Sequence, residues 1–164
     1  MEDLDYNLNF NLKVPFRMTQ LCYAELKKTL GNIVNISSSA SIRPKSLVLF
    51  YGVSKAALNM FTKYGALEFS RDKVRINSVV PGNVDTKIFQ NVGIVSTDQE
   101  LRELLDGAAK AIPLRQLVPV DDIAKAVVFL ASTGSMQGEI IIVDGGHSLL
   151  GMDLETMTNA AKCN

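Results

Sequence analysis

The sequence predicts an α/β fold built on a parallel sheet. Two observations carry that expectation. Segments with helical spacing of apolar residues alternate with short β-branched runs that stop at turn residues, and no internal repeat interrupts the alternation. The length, 164 residues, suits one core, since a chain of this size buries roughly 68–70% of its unfolded surface.

The elements follow in order. Residues 16–29, FRMTQLCYAELKKT, space Phe16, Leu21, Tyr23 and Leu26 as a helix, with Gly31 as its stop. NIVNIS, 32–37, reads as a short buried strand, and 51–70 as a long apolar-rich helix. VRINSVV, 74–80, is a second strand closed by Pro81-Gly82. Thr97 and Glu100 have the form of a capping box, opening a short peripheral helix with Leu101, Leu104, Leu105 and Ala108 on one side. Asp121 and Asp122 suit the positive end of a helix over 123–132, and EIIIV, 139–143, is the third strand, closed by Asp144-Gly145-Gly146. The segment 83–97 has no clear period and follows a strand's carboxyl end, which predicts a mobile lid. Residues 1–150 are read as one domain and 151–164 as a tail.

Charge and composition exclude several classes. There are 17 basic and 17 acidic residues with no block of one sign, so neither nucleic acid nor an acidic membrane has an electrostatic handle. The two cysteines, Cys22 and Cys163, make neither a disulfide framework nor a zinc site, and no metal is expected. No apolar run approaches the ~20 residues of a membrane span, and the polar, acidic start lacks the pattern of a targeting segment. The expected setting is cytoplasmic, with small molecules or proteins as partners.

Tyr51 and Lys55 stand four apart at the head of the 51–70 helix, so they share a face and can reach one ligand. An ammonium beside a phenol favours the phenolate, which would let the pair exchange protons near neutral pH. Alone, this spacing also fits two amphipathic side chains on a packed helix. The neighbouring residues agree with the first reading. In NISSSAS, Ser38 lies 13 residues before Tyr51; in NLKVPF, Asn11 lies 27 before Ser38. RINSVVPGNVDT, DDIAKAVVFLAS and GEIIIVDGG continue the pattern downstream.

Together these motifs resemble the short-chain dehydrogenase/reductase family over nearly all of residues 5–146, and its 3-oxoacyl-[acyl-carrier-protein] reductase-like members among others. The resemblance implies the C-terminal part of a Rossmann-type doubly wound parallel sheet. It also implies hydride transfer between NAD or NADP and a ketone or secondary alcohol. In that role Tyr51 exchanges a proton with the substrate oxygen, and Ser38 hydrogen-bonds that oxygen. Lys55 favours the phenolate and binds the nicotinamide ribose, and the main chain of Asn11 holds a water on the proton path. Pro15, having no N–H for the carbonyl four residues back, would leave the Asn11 carbonyl free for that water. Pro81, Gly82, Val84 and Thr86 would meet the nicotinamide. Ser37, Ser39 and Ser41 read as turn hydroxyls, Ala57, Met60, Phe61 and Tyr64 as core or subunit interface, Asp85 as a loop carboxylate, and His147 as a surface residue.

One departure from the family pattern is large. None of the 11 glycines forms the Gly-rich turn that seats a pyrophosphate on a helix N-terminus, so the N-terminal dinucleotide-binding strands are expected to be missing. The strand 32–37 would then show an open edge. Two readings follow: a shortened oxidoreductase, possessing the active-site residues but less of the cofactor site, or a non-catalytic chain that oligomerises or pairs with a full-length relative through the helices 16–29 and 51–70 and the last strand. A smaller departure, the segment between FLAS and the last strand, is two residues shorter than usual and alters a loop alone.

Overall fold

A computed structural model describes residues 1–91 and 94–150. Three strands, β1 (Asn32–Ile36), β2 (Arg75–Pro81) and β3 (Ile140–Val143), form a parallel sheet in the order β1-β2-β3. Asn32 is paired with Arg75 and Ile36 with Val79, while Ser78 is paired with Ile140 and Pro81 with Val143. Parallel neighbours require crossovers, and helices supply them. The chain crosses from β1 to β2 by α3 (Leu49–Ser70) and from β2 to β3 by α4 (Ile88–Asn91), α5 (Asp98–Ala111) and α6 (Val120–Ser132).

The central strand β2 explains the two-sided packing. Its residues from Ile76 to Val80 are all buried, as expected of a strand covered on both faces. Successive side chains alternate between faces. A Cβ on Gly65 of α3 would lie 3.3 Å from Ile76, and Ser78 hydrogen-bonds Asn59 of α3, so one face belongs to α3. The side chain of Arg75 donates to the carbonyls of Leu130 and Ala131 at the end of α6, so the other face belongs to α6. Helices on both faces of a parallel sheet are the expected doubly wound arrangement.

The amino-terminal helix is longer than the sequence predicts. Helix α1 (Glu2–Leu8), a π-helical turn (Asn9–Lys13) and α2 (Val14–Thr29) run on without a break, and α1 packs on α3. The covered positions are Leu4, Asn7, Leu8, Asn11, Leu12 and Pro15, a helical stripe ending on the buried Thr19. Two asparagines interrupt its apolar character, which hides the period from a hydrophobicity reading. Pro15 sits in the first turn of α2, where a missing N–H is tolerated, and the widened π turn comes directly before it. Farther along, Tyr23 donates to Asp72 (2.7 Å) and Lys27 pairs with the same carboxylate (3.0 Å), tying α2 to the turn after α3.

Other expectations hold or shift in small ways. The capping box is present: Glu100 N–H donates to the Thr97 hydroxyl and Thr97 N–H to the Glu100 carboxylate, with α5 burying Leu101 and Leu105. The backbone N–H groups of Ser96 and Thr97 hold the Glu100 carboxyl below its usual range. Helix α6 starts three residues early, at Val120, with Asp121 and Asp122 in its first turn. The stretch 83–97, read as a segment without clear period, carries Val84, which bridges to Val118, and the short helix α4. Val92, Gly93, the tail 151–164 and Cys163 lie outside the described residues, and Cys22 is exposed. Strand β1 is an edge, with Ile36 44% exposed.

Of the two roles expected for four residues of α3, core or subunit interface, the first fails. Ala57, Met60, Phe61 and Tyr64 do not form the core: Met60 is 56% and Tyr64 65% exposed. The buried positions are Ser54, Leu58, Asn59, Thr62, Gly65 and Ala66. Apart from Leu58, the buried groups are small or polar and let the helix lie close to the sheet, while Met60 and Tyr64 point away. Ile76→Ala, in the buried strand, is therefore expected to cost about 2–5 kcal/mol. Met60→Ala is expected to stay within about 0.5 kcal/mol in chemical denaturation of the monomer.

Candidate active site

The three strands end on one side of the sheet, and the candidate residues lie in the segments that leave those ends. Tyr51 and Lys55 occupy the first two turns of α3. The Lys55 ammonium donates to the carbonyl of Ile36, the last residue of β1, at 2.9 Å and lies 5.8 Å from the centre of the Tyr51 ring. Burial lowers the Lys55 ammonium below the ordinary lysine range. From the other direction the Ser37 hydroxyl donates to the Lys55 carbonyl (3.1 Å). Helix and strand end are thus joined by two bonds, one from the lysine side chain and one to its main chain.

Ser38 caps a 3-10 turn, Ser39–Ser41, its hydroxyl oxygen accepting from the Ala40 N–H at 3.2 Å. A line of polar groups fixes that turn from below. Ser78 in β2 donates to the Asn59 amide oxygen (3.3 Å), Asn59 donates to the Ser41 hydroxyl (2.7 Å), and Ser41 donates to the Ser38 carbonyl (2.5 Å). Ser41 is therefore a turn hydroxyl, as expected, and Ser39 accepts from Lys45. Gly52 sets the spacing to α3, because a Cβ there would lie 3.0 Å from the Ala40 carbonyl oxygen.

Asn11 reaches α3 through its side chain. Its amide donates to the Ser54 hydroxyl at 3.1 Å, and Ser54 donates to the Tyr51 carbonyl at 2.7 Å. The fully buried Ser54 thus connects the π turn to the helical turn that carries the tyrosine. Neither Ser54 nor Asn59 is singled out by the sequence. The signal available was weak, a polar residue in phase with Leu58 on a helix whose apolar residues suggested a different inward face.

The segment after β2 lies beside this group. Pro81 ends the strand opposite Val143, and Gly82 N–H donates to the Val143 carbonyl (2.9 Å). A side chain at Gly82 would meet the Asp144 main chain and Cβ at 2.7–2.8 Å, so only glycine lets the β2 and β3 ends pass this closely. Val84 bridges to Val118, and Thr86 is exposed. The structure thus gathers Asn11, Ser38, Tyr51 and Lys55 about the end of β1, and sets Pro81, Gly82, Val84 and Thr86 along the adjoining strand end.

His147 is not the surface residue that the sequence suggests. It begins a 3-10 turn after Gly146, is partly covered, and its Nδ1 is buried with no hydrogen-bond partner among the described residues. Burial, with Lys45 and Arg43 nearby, lowers its affinity for a proton. Arg43, in a distant segment, donates from its guanidinium to the His147 carbonyl at 2.5 Å. Two shallow grooves, about 520 and 490 Å³, lie elsewhere, on the outer side of α6 and beside Leu30, Lys73 and Gln137. Neither is lined by Tyr51 or Ser38.

Known proteins resemble this chain in both sequence and backbone. Residues 1–148 match a family model described as enoyl-(acyl carrier protein) reductase. The oxidoreductase UcpA of Salmonella typhimurium is 32% identical over 152 residues, which are 90% of this chain and 58% of UcpA. A crystal structure of a short-chain dehydrogenase/reductase of unknown function from Caenorhabditis elegans, with cofactor, superimposes with a TM-score of 0.82 at 31% identity, covering 88% of this chain and 55% of that one. ElxO with NADP bound gives 0.77 at 26% identity, covering 92% of this chain and 60% of ElxO. The chain therefore spans under two thirds of each of these proteins. A family match running from Met1 to Ser148, on a backbone shared with an enzyme of that class, places the chain in the short-chain dehydrogenase/reductase family.

Proposed function

We propose that the chain is an NAD(P)-dependent oxidoreductase unit, spanning residues 1–150, that interconverts a ketone and a secondary alcohol in the cytoplasm. The single observation that supports this most is the Lys55 ammonium held on the Ile36 carbonyl, 5.8 Å from the Tyr51 ring centre, beside a Ser38 turn that is fixed from β2. Relatives solved with a cofactor or with NADP support the choice of cofactor class. Among the described residues no helix is long and apolar enough to cross a membrane.

The residues present fit the nicotinamide end of such a cofactor. Lys55 commits one of its three protons to Ile36, which leaves two for a ribose hydroxyl and the tyrosine oxygen. The exposed Thr86 hydroxyl and the Val84 backbone would hold the carboxamide, on a strand end kept narrow by Gly82. When bound, the nicotinamide supplies or accepts the hydride. Tyr51 then gives its proton to the carbonyl oxygen in reduction, or removes it from the alcohol in oxidation. The Lys55 charge stabilises the phenolate left behind. Ser38 keeps its own hydroxyl proton free to hydrogen-bond the substrate oxygen, because its contact with Ala40 uses a lone pair. Asn11 holds the water of the proton path with its main chain, while its side chain positions Tyr51 through Ser54.

A second reading has its own observation. Large apolar groups on α2 and α3, among them Met18, Leu21, Met60, Tyr64 and Leu67, are 54–77% exposed, and β1 has an open edge. Such surfaces are those by which a chain associates with a copy of itself or with a longer relative. In this reading the chain is an interaction partner, without turnover.

The two readings separate in one experiment. Titration with NADH and NADPH, followed by fluorescence, is expected to show saturable binding, with carbonyl reduction that falls at least ~100-fold in Tyr51→Phe. Turnover unchanged by Tyr51→Phe would contradict the assigned role. Absence of both dinucleotide binding and turnover, with a dimer in sedimentation, would favour the second reading. The pH dependence of stability gives an independent check on Lys55. Its proton affinity is lower folded than unfolded, so between the two values the unfolded chain binds more protons and stability rises with pH. Lys55→Met is expected to remove that part of the rise in denaturation curves measured across the alkaline range.

A further inference from the structure

Arg43 and Lys45 lie in the segment between β1 and α3, and His147 follows β3, so all three share the side of the sheet that carries Ser38 and Tyr51. The link to Ser38 is short in sequence and in space. Lys45 donates to the hydroxyl of Ser39 at 3.2 Å, and the Arg43 N–H donates to the Ser39 carbonyl at 2.9 Å. Both cations are half-buried, and among the described residues neither has a carboxylate within 4.0 Å.

Asp144 is the acidic group that faces them, and it is occupied otherwise. Its side chain, 5% exposed, accepts from the N–H groups of Gly146 (2.9 Å) and Ser148 (2.7 Å). Two cations and an imidazole thus face one carboxylate. Partly burying two like charges costs free energy unless an anion is added. Burial and the neighbouring Arg43 lower the Lys45 ammonium, as that imbalance requires. Donors remain for an anion: two protons on Lys45, the rest of the Arg43 fork, and the buried Nδ1 of His147.

We propose that Arg43, Lys45 and His147 anchor an oxyanion, a carboxylate or phosphate, carried by the substrate, so that the ketone or alcohol handled at this site is an anionic one. The inference rests on the oxidoreductase reading for its substrate, but the anchor itself is measurable without cofactor or turnover. The anion would sit on the loop that holds Ser38, and would orient the reacting carbon by a charge-assisted contact at a fixed remove.

The test is a titration of the isotope-labelled full chain, followed by amide NMR, with malonate, inorganic phosphate and uncharged malonamide. Saturable shifts with malonate or phosphate in residues 39–45 and 145–148, and none with malonamide, are expected; the tighter of the two anions names the substrate's group. Lys45→Gln, which keeps a donor for Ser39, is expected to weaken binding about tenfold. Arg43→Lys, which retains charge but not the fork, should keep part of it, and circular dichroism shows whether each variant is folded. Equal shifts with malonamide, shifts confined to other segments, or unaltered binding in a folded Lys45→Gln variant would overturn the proposal. Displacement of malonate by NADP would also overturn it, assigning the cluster to cofactor phosphates. Loss of dinucleotide binding alongside retained anion binding would count against the oxidoreductase reading and leave the anchor in place.

Discussion

The structure depends on how closely α3 lies on β1 and β2. Gly65 and Ala66 remove side-chain bulk at the contact, and Ser54, Asn59 and Thr62 supply hydrogen bonds in place of apolar contact. An apolar helix face would have served stability as well. It would not have specified one rotation of the helix, whereas each buried polar group here is satisfied only if its partner stands in register. Asn35 donates to Thr62 at 2.9 Å, Ser78 to Asn59, and Ser37 to the Lys55 carbonyl, so the helix is indexed to the strands residue by residue.

That indexing is what relates Tyr51 to Ser38. The tyrosine is set by its helix, the serine by a 3-10 turn, and the two elements meet at Gly52 and through Asn59 and Ser41. The amino-terminal helix joins in by Asn11 and Ser54. A buried network of this kind is costly if broken at any member, since each leaves a donor or acceptor unpaired. The same constraint bears on the outward-pointing methionine and tyrosine of α3: with the sheet side taken by Leu58 and by small and polar residues, they lie on the outer side.

Much of this was legible from residue order. The strands end where Pro81-Gly82 and Asp144-Gly145-Gly146 predict, and the capping box opens α5. What was not legible has a common cause. Periodicity reads a buried face as an apolar one, so it starts the first helix at residue 16, past the asparagine-bearing stripe of residues 4–15, and it offers Met60 and Tyr64 as core or subunit interface while passing over the buried Ser54 and Thr62. The bond from Arg43 to the His147 carbonyl, 104 residues away, is likewise a contact that no local pattern encodes.

Native-state hydrogen exchange tests the account of the site most directly. If the polar network makes the turn, the helix start and the central strand one cooperative unit, the protected amides of Ser41 and of Lys55 exchange with the same opening free energy as those of Ile76 to Val80. Exchange at Ser41 and Lys55 by local opening, with free energies well below that of β2, would contradict the claim that the sheet holds Ser38 and Tyr51 in register.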